Sequence, residues 1–562
     1  MNKKKGIIVA SLVLSSSIFF PTVSAFGSEG KPTLEIPMEK PSSKKPHPVF
    51  SWNIPGVNSP VLHPGLARGA GMVQQPLDEI DSVMSDLIAD GVMPGAVTIV
   101  ARRGHIVQQG AYGYAAKYTD GIKTEMDHPI LMQEDTIFDL ASISKVFTST
   151  AAMILYEQGY FDLQDPVANY IPEFAQNGKE EVTISQLLTH TSGFVAWVPL
   201  YAQEETREDR LQYVFNYPLR IQPGEKYTYS DLNMITLGAL VERLSGQRLD
   251  QFVAENITKP LGMKDTMYNP PSELKNRIAA TEYQAFPNRG LVWGEVHDEN
   301  AWSLDGVAGH AGIFSTATDL AKFAHVIVND GRYGGKQILQ PETVKLLVEN
   351  QIPEFSANSH GLGYEIDQGW YMDALFGNSI GHTGYTGTSM VINKQNNTIA
   401  ILLTNRVHPS RSTPSTNSAR RQFARQVADA IPVAIPNKDD AWFSGYGSNL
   451  NSALTAEVDL EAEATLSFDT WYRLEDGYDF GLVETSVDGD NWTVAETYTG
   501  SSEWKTNKFN ITEHTKYIRF RYDTDTNTNR RGWYVYNPSI TRSNGETIHL
   551  EFSNDGWELR NY

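Results

Sequence analysis

Phe138-Asp139-Leu140-Ala141-Ser142-Ile143-Ser144-Lys145 is the stretch whose reading decides the fold. It opens a helical pattern that runs from Val146 through Gln158 and stops at Gly159, a residue type that commonly ends helices. Ser142 and Lys145 are one helical turn apart, so both side chains emerge on one face. A serine hydroxyl is a weak nucleophile until a neighbour takes its proton. A lysine one turn away can be that base or can assist another. On its own the S-x-x-K pattern is weak evidence, because a serine near a helix start and a solvated lysine are both common.

Two later segments give it weight: Tyr229-Ser230-Asp231-Leu232-Asn233 and His382-Thr383-Gly384-Tyr385. In order and spacing the three resemble the S-x-x-K, Y-x-N and K/H-T/S-G motifs of the β-lactamase and penicillin-binding-protein serine hydrolases. The tyrosine at the head of the second motif is most similar to class C β-lactamases and their esterase and peptidase relatives. The class A pattern is different, with S-D-N in second place. The narrower stretches Gly381–Gly387, Thr404-Asn-Arg-Val-His-Pro409, His297-Asp298-Glu299-Asn300 and Gly309-His310-Ala311-Gly312 resemble a subgroup that includes bacillar N-acetylmuramyl-L-alanine amidases. Together these likenesses cover roughly residues 77–430.

The resemblance implies an α+β fold, an antiparallel sheet flanked by helices with a helical subdomain. Sequence pattern agrees. A helical period starts at Leu77, and strands are expected at Ala96–Val100 and Ile106–Tyr112. Residues 130–350 read mainly as helix and loop. Strands return at Ser389–Lys394 and Thr398–Thr404, and a helix over Ser418–Ala430 closes the unit.

The resemblance also implies site roles. Ser142 is the expected nucleophile, with Lys145 and Tyr229 as its proton partners. Either of the two can be the base, and the three groups are expected to titrate as a unit. The backbone N–H groups of Ser142 and Tyr385 form the expected oxyanion hole. Thr383 and Gly384 line the substrate, and a side chain at 384 is expected to crowd it. His382 stands where β-lactamases carry lysine. A histidine is neutral for much of the time at pH 7, so carboxylate recognition is expected to be weakened. Asp231, in place of the class C asparagine, weakens it further. Its carboxylate is free to hold Lys145, to meet a substrate amine or to cap the helix that starts at Leu232. His297, Asp298 and His310 read as a substrate-contacting loop, or as a structural network; metal ligation is the lesser reading, because no spacing specifies a third ligand. His190, in Leu187–Gly193, reads as structural. No cofactor and no metal are expected.

The chain has 562 residues, a net charge of −21 and no cysteine. Its length suggests about two to four domains. The acidity disfavours nucleic acid as a partner. The missing cysteines exclude disulfides and a thiol nucleophile. Residues 1–25, with Lys3 to Lys5, the apolar Gly6–Phe20 and Val23-Ser24-Ala25, read as a cleaved signal peptide. The apolar run is short of the ~20 residues a membrane span needs, so a secreted or wall-associated protein without a transmembrane anchor is expected. Residues 26–75 read as a flexible Pro/Lys-rich spacer, 76–430 as the hydrolase domain and 431–440 as a linker.

Residues 441–562 alternate in hydrophobicity between turns, as an all-β sandwich does. Residues 456–500 hold twelve acidic side chains and one basic one, Arg473. Trp442–Leu450 and Trp471–Phe480 resemble the C-terminal β-module of immune inhibitor A-type secreted proteases, although no H-E-x-x-H occurs in the chain. The related module has aspartate where Tyr536 stands, so its metal role is not expected to carry over. Trp442, Trp471, Trp492, Trp504, Trp533 and Trp557 either fill the sandwich core or stack on cell-wall glycan.

The leading functional reading is an amidase or peptidase acting on muropeptides, at the MurNAc–L-Ala bond or a D-amino-acid peptide bond. A carboxylesterase has the same site chemistry. A wall-binding protein with an inactive enzyme domain is opposed by the intact motifs, and weak β-lactamase activity is compatible with them.

Overall fold

The structure is a computed structural model that describes residues 50–562. The expected signal peptide and the first half of the expected spacer lie outside these residues. The hydrolase part is built on an eight-stranded sheet. Its order is His63–Pro64, His105–Tyr118, Gly95–Arg102, Thr398–Thr404, Ser389–Asn393, Ser379–Thr383, Glu365–Ile366, with Glu125–Leu131 paired to His105–Tyr118. The pairs are antiparallel except the first. N-terminal and C-terminal strands meet at the centre, where Ala96 pairs with Thr404 and Arg102 with Thr398.

The central strands are buried on both faces, and residue alternation sorts them between two cores. Val97, Ile99, Ile399, Ile401 and Leu403 face the larger core, which holds the helix Ser144–Glu157 and most of the helical subdomain. Ala96, Val100, Ala400 and Leu402 face the smaller one, against the helices Gln74–Ala89 and Asn417–Asp429. The nucleophile segment forms a 3-10 turn, Ala141–Ile143, that runs directly into Ser144–Glu157. That helix ends at Gln158, and Gly159 takes the left-handed φ of +77° expected of a stop.

The spacer reading fails from residue 50 onward. Trp52 is buried, and the guanidinium of Arg102 donates to the carbonyls of Phe50, Ser51 and Gly71. A buried arginine needs such acceptors, and this segment supplies them. Charge and proline content alone do not reveal that.

The C-terminal part has two sheets. One, of six strands, includes Ser501–Ile511, Ala464–Arg473, Gly532–Arg542 and Ala441–Phe443. The other, of five, includes Phe480–Ser486, Tyr517–Asp523 and Asn451–Glu457. Leu466, Phe468, Trp533 and Val535 from one sheet meet Leu454, Val483 and Phe520 from the other in a shared core, the arrangement of a β-sandwich. Trp471, Trp533 and Trp557 are buried, and Trp442, Trp492 and Trp504 are half-buried. Trp471, Trp533 and Trp557 therefore serve as core.

The expected linker is packed as well. Val433 and Ile435 share a cluster with Phe443, Trp471, Tyr534 and Tyr536. Asp429, at the end of the last hydrolase helix, forms an ion pair with Arg531 at 2.9 Å and another with Arg560 from the sandwich. Tyr536, in the place of the related module's aspartate, donates to Asp439 at 2.9 Å and so belongs to this junction.

Candidate functional site

The turn that carries Ser142 is held from below. Asp139 is fully buried, and its Oδ1 accepts the Ala141 N–H at 2.8 Å while its Oδ2 accepts the His297 N–H at 2.6 Å. Ala141 adopts φ +47°, a left-handed value that costs a non-glycine residue about 1 kcal/mol or more. The brace maintains that conformation, and Ser142 follows at the start of the turn.

Lys145 uses all three of its N–H donors. It donates to Ser142 Oγ at 2.8 Å and to His310 O at 3.1 Å, and it pairs with Asp231 Oδ1 at 2.8 Å. It also stands 4.9 Å from the ring centroid of Tyr229. Burial works against its charge, but Asp231 and Tyr229 outweigh burial and hold the ammonium above the usual lysine range. An ammonium has no lone pair to offer, so the Ser142 hydroxyl proton must point to another acceptor. Tyr229 is the neighbour on hand. Burial pushes its phenol up to about 12, with Lys145 pulling the other way.

Asp231 is the first residue of the helix Asp231–Ser245, whose N-cap is Ser230. It does not cap the helix, and its carboxylate is spent on Lys145. His190 is a brace, as its sequence context suggested. It is buried, 4.7 Å from the Tyr229 ring, and its Nδ1 is 3.2 Å from both the Ser230 N–H and Asn233 Nδ2.

His382 lies on the strand Ser379–Thr383, with its ring 6.0 Å from Tyr229. Its Nδ1 is 2.8 Å from Thr383 O, so the proton belongs on Nδ1 and Nε2 is left as an acceptor. Burial, then Lys145, lowers its pKa to about 3. The ring is neutral, and the site lacks the cation that a lysine would bring there.

Gly384 is required by the protein's own packing. A Cβ there would lie 2.2 Å from Thr388 Oγ1 and 2.3 Å from Leu140 O, the carbonyl just before the nucleophile turn. The Tyr385 N–H follows and makes no hydrogen bond among the described residues.

The expected loop residues divide. His297 is tied to its neighbours: its Nε2 is 2.9 Å from Glu282, and its ring stacks on Tyr385 at 5.9 Å. It supports the Tyr385 loop and does not line the cavity at Ser142. Asp298 caps the short helix Glu299–Ser303 and accepts His310 Nε2 at 2.8 Å. Burial would raise the Asp298 carboxyl, yet His310 brings it well below the usual carboxylate range. Asp231, Asp298 and His310 present ligand atoms within 4.8 Å of one another, but Lys145 already supplies a cation to Asp231.

Ser142, Tyr229, His382, Thr383, Gly384 and Tyr385 open on a cavity of about 360 Å³. Its far side is made by residues that sequence reasoning missed: Glu365, Trp370, Arg406 and Arg420. Arg420 donates to the carbonyls of Gly384 and Thr388, each at 3.0 Å. In sequence it is one of three arginines on an amphipathic helix, with Arg421 and Arg425, and nothing local separates it from them. Arg406 sits in the Thr404–Pro409 stretch that had marked the subgroup, so a signal existed there without a role attached.

Comparison with known proteins gives the family. The Beta-lactamase family profile matches residues 80–425. Two proteins named "Putative D-alanyl-D-alanine carboxypeptidase", from Salmonella agona (strain SL483) and Salmonella schwarzengrund (strain CVM19633), are each 35% identical to the chain over 403 residues, covering 66% of it and 91% of themselves. The solved structure of EstCE1, a hydrolase with promiscuous acyltransferase activity, superposes with a TM-score of 0.50 at 22% identity, over 63% of this chain and 99% of that one, a likeness of fold. The chain belongs to the beta-lactamase family, and with it to the serine hydrolases.

Proposed function

We propose that the protein is a secreted carboxypeptidase that removes a C-terminal residue from D-amino-acid-containing cell-wall peptides through an acyl-enzyme on Ser142. The observation that carries this reading is the pair Arg406 and Arg420 on the cavity that Ser142 opens into. The Arg406 guanidinium suits a free substrate carboxylate, and Arg420, tied to the Gly384 and Thr388 carbonyls, adds positive field beside it; both weigh against the weakened carboxylate recognition expected from His382 and Asp231. The MurNAc–L-Ala bond is the less favoured target, since a sugar-linked amide presents no carboxylate at that place. The relatives' printed names point the same way.

In this mechanism the base is the minor phenolate form of Tyr229, which the Lys145 ammonium favours against burial; it takes the Ser142 proton as Ser142 Oγ attacks the peptide carbonyl carbon. The oxyanion is received by the N–H groups of Ser142 and Tyr385. Tyr229 returns the proton to the leaving amine as the C–N bond breaks. A water then repeats the sequence on the ester, with Tyr229 as base, and releases the acid.

The test offers purified protein three substrates: an N-acylated peptide ending in D-Ala-D-Ala, a MurNAc-peptide and an aryl ester, with products identified by mass. Release of the terminal D-alanine is expected. Arg406→Met should raise KM for the peptide about tenfold or more while aryl-ester turnover is kept. Ester hydrolysis without any peptide cleavage would overturn the reading in favour of an esterase.

A further inference from the structure

A second cluster of carboxylates lies far from Ser142 in sequence, in the β-sandwich. Glu475, Asp479 and Asp525 present ligand oxygens within 4.8 Å of one another. Glu475 and Asp479 lie in the connection from Ala464–Arg473 to Phe480–Ser486, and Asp525 lies in the one from Tyr517–Asp523 to Gly532–Arg542. The group beside Ser142 contains its own cation, Lys145. No salt bridge joins a cation to this one among the described residues. Arg530 reaches Glu475 and Asp479 through its field alone, while its guanidinium lies 3.2 Å from the ring centroid of Phe376 in the hydrolase part.

A second observation points to a ligand. Asp479 has no exposed surface. Its Oδ1 accepts the Asp525 N–H at 3.1 Å, and its Oδ2 has no partner among the described residues. Glu475 Oε2 is likewise buried without a partner. Burial pushes the Asp479 carboxyl up to about 6, and it raises Glu475 too. Unpaired carboxylate oxygens in such a place are costly unless a cation answers them. Hard oxygen donors from flexible loops match calcium better than magnesium, which keeps its waters and demands a tighter octahedron.

We infer that Glu475, Asp479 and Asp525 bind a divalent cation of the calcium type, which ties the 474–479 loop to the 524–531 loop. The second loop carries Arg530 and Arg531, two of the residues that hold the sandwich on the hydrolase part. Cation binding therefore stabilises the junction as well as the module.

The experiment uses the full-length protein stripped with EDTA and titrated with calcium chloride or magnesium chloride at fixed ionic strength. Calorimetry and thermal unfolding are the readouts. One saturable site with a Kd of about 10⁻⁵ to 10⁻³ M for calcium is expected, with a rise in Tm and a weaker response to magnesium. Asp479→Asn and Asp525→Asn should each weaken binding at least tenfold and cancel the rise. In EDTA, Asp479→Asn should be no less stable than the parent, because the unpaired charge is gone. No saturable heat up to about 10 mM calcium, or an equal rise in parent and variants, would overturn the inference. If either variant fails to fold by circular dichroism, Glu475→Gln, at a more exposed position, gives the same comparison.

Discussion

Lys145 and Asp429 are both buried ions held by opposite charges, and they differ in what is left over. Lys145 is shared among Asp231, the His310 carbonyl and Ser142 Oγ, and the last of these is a hydroxyl whose own proton faces a cavity. Asp429 is gripped by Arg531 and Arg560, and Arg531 also donates to the carbonyls of Asp429 and Ile431. The Tyr446 phenol stands beside it, held well above the usual tyrosine range by burial and by Asp429 itself. The same electrostatics serves chemistry in one place and docking in the other. What marks the first is a serine hydroxyl that opens on a cavity with room for a reactant.

The comparison breaks most visibly at Ser142. Ser142→Ala should lower turnover by about 10⁴-fold or more and leave the thermal midpoint close to that of the parent, since one hydroxyl is lost at a turn. A fluorophosphonate probe should no longer label the variant. Retained turnover would place the nucleophile elsewhere.

Lys145→Ala should combine both kinds of damage. Turnover should fall by about 10³-fold, and stability by about 3 kcal/mol, because Asp231 is left with an unanswered charge. Tyr229→Phe should match the kinetic loss with a smaller stability change. The double variant should lose far less than the product of the two, as expected of groups that act together. Strict multiplicativity in steady-state kinetics would argue against a shared proton path.

Asp429→Ala tests the docking ion. It strands a fully buried arginine, so chemical denaturation should show a loss of about 3 kcal/mol or more while kcat per folded molecule is kept. Truncation after Ile435 should be worse than this substitution, because Val433 and Ile435 also lose the apolar cluster that covers them. An undiminished midpoint in the truncated chain would show that the two parts are independent.

The smallest effect is expected at Glu365, where burial raises the carboxyl from 4.5 to about 7. The folded chain then holds a proton that the unfolded chain has released. Stability contributed by this group is present below about pH 4.5 and is lost as pH rises toward 7. The slope is at most about 1.4 kcal/mol per pH unit, and the cavity beside Glu365 reduces it. Glu365→Gln should flatten that part of the stability curve measured by urea unfolding at several pH values.

By itself the sequence determined the three motifs, the α+β division and the change to alternating strands near residue 441. These are local signals: a helical turn separates Ser142 from Lys145, an apolar run marks Thr398–Thr404, and a period-two pattern marks Tyr517–Asp523. Only the tertiary structure decided where the charges go. Arg420 reaches the cavity because the last helix packs beside the central strands, and Arg406 because it lies just past the end of one of them; no periodicity records which face of a helix meets a ligand. His297 turns to Glu282, and Asp231 gives its carboxylate to Lys145 instead of to the helix start. Residues 50–75 and 431–440 look like linkers because their sequences are rich in turn formers. They are ordered because distant partners, Arg102 in the sheet and Phe443, Trp471 and Tyr534 in the sandwich, take up their carbonyls and apolar side chains. Buried polar groups find partners wherever the fold brings them, and that pairing is a property of three-dimensional proximity, which local sequence does not encode.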